Sequence, residues 1–281
     1  GGLAAPAAAK DKPKEAAAPK FTPSKAYIPV YTQAKNAIDA AGKRADVIAA
    51  KAAVTNAENA YRAARGNAAR TQAKAGWDSA VAALGNSLSA EKGAVDQAFA
   101  ASTTPDDKFF SGQLALNLGN LGSDKAMQRR GLQAMIDSGK LSPADVGKYN
   151  FYIGGLAYDM KDYAAARTAF SSAIAGGYTE NGVEALLADA YINDNQPAEG
   201  LRILQAAVSK PGVTAPEDWL RRGVVTAYKA RQADYASSFS SQLVNAYPGT
   251  ENWALAVSVV RDLGKFQQQE QIDLLRLMER T

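Results

Sequence analysis

Residues 147–208 read GKYNFYIGGLAYDMKDYAAARTAFSSAIAGGYTENGVEALLADAYINDNQPAEGLRILQAAV. Apolar residues recur here every three to four positions without sustained alternation, which is the period of helices and not of strands. The dipeptide Ile153-Gly154 falls in register with Leu187-Ala188, and further on with Arg222-Gly223 and Ala256-Val257. The second members stand at 154, 188, 223 and 257, so the spacings are 34, 35 and 34. In the first unit, Gly154 lets one helix approach the next, while Ala166, Phe170 and Ala173 place a large ring between close contacts. One period later Ala188, Gly200, Leu204 and Ala207 take those roles.

Outward from this stretch, residues 105–281 keep the helical period, with breaks at Gly119–Ser123, Ser138–Pro143, Gly176-Gly177, Asn193–Pro197, Pro211–Pro216 and Pro248-Gly249. Helices joined by connections this short pack as antiparallel pairs. An earlier pair over 106–138 fits with Ala126 as its small residue but lies off the spacing. The third unit puts Tyr235 or Ala236, and the fourth Gln269, where the second helix needs a small side chain.

A period of about 34 residues, one helix pair each, resembles the tetratricopeptide repeat family. The small Gly154 and Ala188, the aromatic Tyr191 beside the position of Tyr158, and the Asp162-Tyr163 turn carry the resemblance. The segment IDLLRLM, Ile272 to Met278, is similar to the C-terminal helix of exported bacterial members. The resemblance implies an all-α, right-handed helical-hairpin solenoid that serves as a non-catalytic protein–protein interaction scaffold. It also implies a concave face lined by the first helix of each pair: Lys148, Phe151, Tyr158 and Asp159, then Asp189, Ile192 and Asn193, then Arg221. Members that clamp a peptide carboxylate use Lys and Asn where this chain has Phe151, Gly155 and Leu186, so that clamp is absent.

The N-terminal third differs. Residues 1–24 are Ala, Pro and Lys with few large apolar groups, too little to offset their ordering entropy, and read as a flexible arm. Residues 25–104 form an Ala-rich helical region, with helices expected over 25–41, 44–65, 67–84 and 89–101 and stops at Gly42, Gly66, Gly85-Asn86 and Pro105. The solenoid takes 105–281. The chain opens on Gly1-Gly2 without Met, which suggests a removed export signal and a periplasmic or extracellular location; a cloning scar is the competing reading.

The chain of 281 residues has no Cys and no His. Thiol and imidazole catalysis, disulfides and Cys-based zinc sites are thereby excluded. The carboxylate pairs Asp106-Asp107, Asp159 with Asp162, and Glu217-Asp218 fall at helix starts or turns and read as caps. No phosphate-cradling glycine loop occurs, so no cofactor is expected. The net charge of +4 is not organised into a repeating basic stripe, which argues against nucleic acid. No apolar run approaches the ~20 residues that span a bilayer.

The last helix is too apolar for one packing face. Ile272, Leu275 and Met278 form a stripe that Leu274 and Leu277 widen. It folds back on a helix over 250–263, or another subunit covers it; an end-to-end contact would propagate into a ring or filament.

Overall fold

The computed structural model describes residues 20–280, apart from the side chains of Phe266 and Glu270. All regular structure among them is helical. The Ala-rich region holds α1 (Tyr27–Ala41), α2 (Ala45–Ala63), α3 (Asn67–Ser87) and α4 (Ser89–Ala101). The solenoid-like series follows: α5 (Pro105–Leu121) with α6 (Lys125–Asp137), α7 (Pro143–Asp159) with α8 (Tyr163–Ala175), α9 (Val183–Asn193) with α10 (Pro197–Val208), and α11 (Glu217–Lys229) with α12 (Ala233–Ala246). A long α13 (Thr250–Glu279) packs on α12 and α11. No helix among the described residues is long and apolar enough to cross a membrane.

Three of the four pairs are closed by one large side chain over one small one. The ring of Phe170 in α8 lies where a Cβ on Gly154 in α7 would stand, only 2.5 Å from such an atom. Phe239 in α12 covers Gly223 in α11 in the same way. In α9–α10 the partners are exchanged: Ile192 from the first helix fills the space over Gly200 of the second, 2.6 Å from where a Cβ on Gly200 would stand. Phe170 and Phe239 are fully buried, and each such ring contributes about 2–3 kcal/mol through the apolar area it removes from water. Ala236, not Tyr235, takes the small position of α12.

The turns repeat as well. Lys161, Asn195 and Arg231 each adopt a left-handed backbone, with φ of 60°, 56° and 55°. The next residue donates its N–H back across the helix end: Asp162 to Ala157 O, Gln196 to Tyr191 O and Gln232 to Ala227 O, each at 2.9 Å. This is the Schellman arrangement, which satisfies carbonyls the helix end leaves open. Ser123 (φ 49°) and Asp124, bonded to Gly119 O at 2.9 Å, make the same reversal between α5 and α6. That pair therefore belongs to the series despite its irregular spacing. Its close approach is made by Gly112 and Gly131, a Cβ on Gly112 meeting Gly131 O at 2.8 Å; Ala126 is exposed and takes no part.

Four expectations are corrected. The helix foreseen over 67–84 runs through Gly85-Asn86 to Ser87, and the chain turns at Leu88, a buried anchor shared by α3 and α4. The arm foreseen over 1–24 lies outside the described residues as far as residue 19, but residues 21–24 are docked. Phe21 stacks on Phe109 at 4.5 Å between centroids, and Thr22 N and Ser24 N donate to Asp106 and Asp107 at 2.6 and 2.8 Å. The boundary at 104/105 divides helices but not the core: Tyr27, Ile38, Val47, Leu84 and Val95 share one apolar cluster with Leu114, Ala115 and Leu118 of α5. Finally, no turn follows residue 263. The chain continues as one helix to Glu279, so the last segment cannot fold back on 250–263.

Asp107 welds the two regions. Thr104 caps α5 by accepting from Asp107 N at 3.1 Å, and the Asp107 carboxylate accepts in return from Thr104 N. It also accepts from Thr103 N at 3.1 Å, Ser24 N at 2.8 Å and Ser24 Oγ at 2.8 Å. Burial alone would push its pKa up, but these donors outweigh burial and bring it down to about 2. Beside it, Tyr27 is buried with its hydroxyl 2.7 Å from Ser111 Oγ, and burial pushes its pKa up to about 12.

Candidate functional site

The first helices of the pairs face a common groove made of three clefts. The middle one, about 720 Å³, has a floor of Leu116 from α5, Leu132 from α6, and Tyr149, Phe151, Tyr152 and Leu156 from α7. One adjoining cleft, about 680 Å³, continues over α9 and α11 to Trp219 and Arg222 and shares Tyr158 and Leu186 with the middle one. The other, about 1130 Å³, opens toward Tyr61 and Trp77 of the α2–α3 hairpin and shares Asn120, Gln128 and Asp159. Through these shared residues each outer cleft adjoins the middle one.

Six of the eight expected concave-face residues line this groove: Lys148, Phe151, Tyr158, Asp159, Asp189 and Asn193. Phe151 is held rigid by stacking on Tyr178, at 4.8 Å between centroids. Lys148 is exposed, with its ammonium 5.8 Å from the ring of Tyr152. Asp159 pairs with Lys125 at 3.4 Å. Tyr158 is the hub of the polar wall. Its hydroxyl donates to Asp189 Oδ2 at 3.4 Å and accepts from Asn193 Nδ2 at 3.0 Å, while Arg222 Nε donates to Asp189 Oδ1 at 2.8 Å. Burial, and then the neighbouring Asp189, hold the Tyr158 pKa above the ordinary phenol value, so the hydroxyl stays protonated and able to donate.

Two expected residues lie elsewhere. Ile192 packs on Gly200 inside its own hairpin. Arg221 points at α13, donating to Asn252 Oδ1, whose amide in turn donates to Glu217 and to Tyr247 O at 3.0 and 2.9 Å. Adjacent helical residues point about 100° apart, so the turn that sends Arg221 to α13 sends Arg222 into the groove. The spacing of 35 before α11 is matched by the structure, with Gly223 under Phe239 as Gly154 is under Phe170, so the repeat register alone does not single out Arg222. The aromatic wall of Tyr61 and Trp77 has no signal in the repeat, because it comes from a hairpin outside it.

The carboxylates foreseen as caps include Asp107 on α5 and Asp162, which accepts from Ala165 N at 3.2 Å and pairs with Arg129 at 3.3 Å. Asp106 is tied to Lys140 at 2.6 Å, and that ammonium, with the N–H of Thr22, holds its pKa below the usual range. The middle cleft thus presents an apolar floor with charges at its edges, a surface suited to taking up side chains.

Compared with models of protein families the chain matches none, and no curated protein matches it.

Proposed function

We propose that this chain is a non-catalytic scaffold of the tetratricopeptide-repeat kind, whose inner groove holds a segment of a protein partner. The observation that carries the reading is the pair of adjoining clefts along α5, α7, α9 and α11, with an apolar floor and the fixed Tyr158–Asp189–Arg222 wall. Stacked hairpins characteristically bind along such a surface. Aromatic anchors in a pocket rimmed by satisfied polar groups are what concentrates binding energy in protein interfaces. The absence of Cys and His supports a non-catalytic role, and a cysteine-free chain is compatible with the periplasmic or extracellular location proposed here.

The test is selection of binders from a random peptide library on the full chain. Peptides should be recovered that lose about tenfold in affinity, roughly 1.4 kcal/mol, on the double variant Lys148→Glu with Tyr152→Glu, whose far-UV spectrum should be unchanged. Recovery of no binder, or of binders that hold the variant as tightly, contradicts the proposal.

A further inference from the structure

Beyond its base the α2–α3 hairpin packs chiefly on itself. No residue of 55–83 is buried. At the 1.5 Å rise of a helix, the stretch of α2 beyond Val54 alone reaches about 13 Å. Its end is cationic. From Asn59 to Trp77 stand Arg62, Arg65, Arg70 and Lys74, and no Asp or Glu. The nearest carboxylates in the two helices, Glu58 and Asp78, each lie one turn closer to the base than the cation they pair with, Arg62 at 2.6 Å and Lys74. Both pairs are exposed, so water and salt screen them and leave the cations free to exchange partners. Arg65 covers the last carbonyls of α2, donating to Arg62 O at 3.2 Å, and Arg70 lies 5.1 Å over the ring of Tyr61. Neither meets a carboxylate among the described residues.

The rest of the end is small or neutral: Ala63, Ala64, Gly66, Asn67, Ala68 and Ala69. It offers no large apolar anchor, the kind of group in which protein interfaces concentrate their energy. Nor do the cations form a long stripe or groove that could follow a nucleic-acid strand. What four cations round a blunt end can meet together is a flat anionic surface. A guanidinium holds a phosphate through two parallel N–H···O bonds, so three arginines and one lysine suit phosphodiester headgroups. Tyr61 and Trp77 stack behind the end at 5.4 Å between centroids, with Arg70 over the first ring and Lys74 over the second. Rings of this kind, apolar in body and polar at one edge, settle at the boundary between membrane and water.

We propose that the end of the α2–α3 hairpin rests on the phosphate headgroups of an anionic lipid bilayer and so carries the groove at a membrane surface. Each cation near such a surface adds a small increment, so the contact is weak, cumulative and sensitive to salt. Arg62 and Lys74 also line the cleft beside the hairpin, but all four cations lie outside the middle cleft. Loss of lipid binding therefore leaves the scaffold reading standing.

The full chain should sediment with vesicles of phosphatidylglycerol and phosphatidylcholine in equal parts, not with phosphatidylcholine alone, and should be released as salt rises from about 0.05 to about 0.5 M. Arg62→Gln, Arg65→Gln, Arg70→Gln and Lys74→Gln together should lower the partition by about tenfold or more, with helicity kept, since all four residues are exposed. Lys43→Gln, Lys161→Gln, Lys210→Gln and Lys229→Gln remove the same charge from other exposed sites and should change it by less than about twofold. Because the chain has no Cys, a polarity-sensitive dye on Ala68→Cys can report the contact, and its emission should shift to the blue on the anionic vesicles. No sedimentation with either vesicle, an equal loss in both quadruple variants, or sedimentation that survives the hairpin variant and so belongs to the lysines of residues 10–20, overturns the proposal. So does tighter hairpin-dependent binding of duplex DNA or polyglutamate than of the vesicles.

Discussion

The hairpins α2–α3 and α7–α8 share one shape and differ in what holds them. In α8 alone, Ala166, Ala169, Phe170 and Ala173 are buried in 13 residues. Across the much longer α2 and α3, the buried residues are Val47, Val54 and Leu84. No residue between Val54 and Leu84 is buried, and the outer end is held by Tyr61 against Trp77 at 5.4 Å, with Arg70 and Lys74 over the rings. Alanine makes both segments helical because it loses no side-chain entropy. It does not make both of them packed. The ring-over-glycine contact fixes a hairpin in place, and the Ala-rich hairpin has no equivalent.

The largest difference should appear on removing a ring. Phe170→Ala and Phe239→Ala are each expected to cost roughly 3–5 kcal/mol in chemical denaturation, against about 1 kcal/mol or less for Trp77→Ala at the partly exposed tip. Next is the weld between regions. Asp107→Ala strands donors from Ser24, Thr103 and Thr104 and should cost about 2–4 kcal/mol. Its pH dependence has a definite sign. The folded pKa of about 2 lies below the ordinary ~3.9, so this stabilisation is complete above about pH 4 and lost as pH falls toward 2. Asp107→Asn should flatten that part of the stability–pH curve.

Smaller still, and opposite in sign between the hairpins, are two glycine changes. Gly154→Ala drives a Cβ into Phe170 and should destabilise by about 1–3 kcal/mol. Gly76→Ala, in α3, meets open space and should stabilise by roughly 0.5–1 kcal/mol through helix propensity. A loss at both positions would erase the proposed distinction.

The same contrast explains what was legible in the sequence. Gly154, Ala188 and Gly223 at near-constant spacing exposed α7 to α12, since close approach leaves a small residue as its mark. The α5–α6 pair is legible as a helix pair, but not its small residue: the approach is made by Gly112 and Gly131, off that spacing, and not by Ala126. The later turns place Lys161, Asn195 and Arg231 in a left-handed conformation, which Asn195 favours but Lys161 and Arg231 do not announce. The docking of Phe21 depends on Phe109, far along the chain, and no local pattern announces it. Along the clefts stand six of the residues that the family resemblance implies for the concave face. Arg222, which aligns with the buried Ile153 in that register, carried no signal as a groove residue, and Tyr61 and Trp77 are out of reach because no repeat positions them.

Native-state hydrogen exchange followed by mass spectrometry tests most directly whether the groove stands on rigid hairpins beside a soft one. Amides of residues 55–83 should exchange through local opening, well before those of α7, α8, α11 and α12, whose protection should approach the global stability. Equal protection in the two regions would contradict the account.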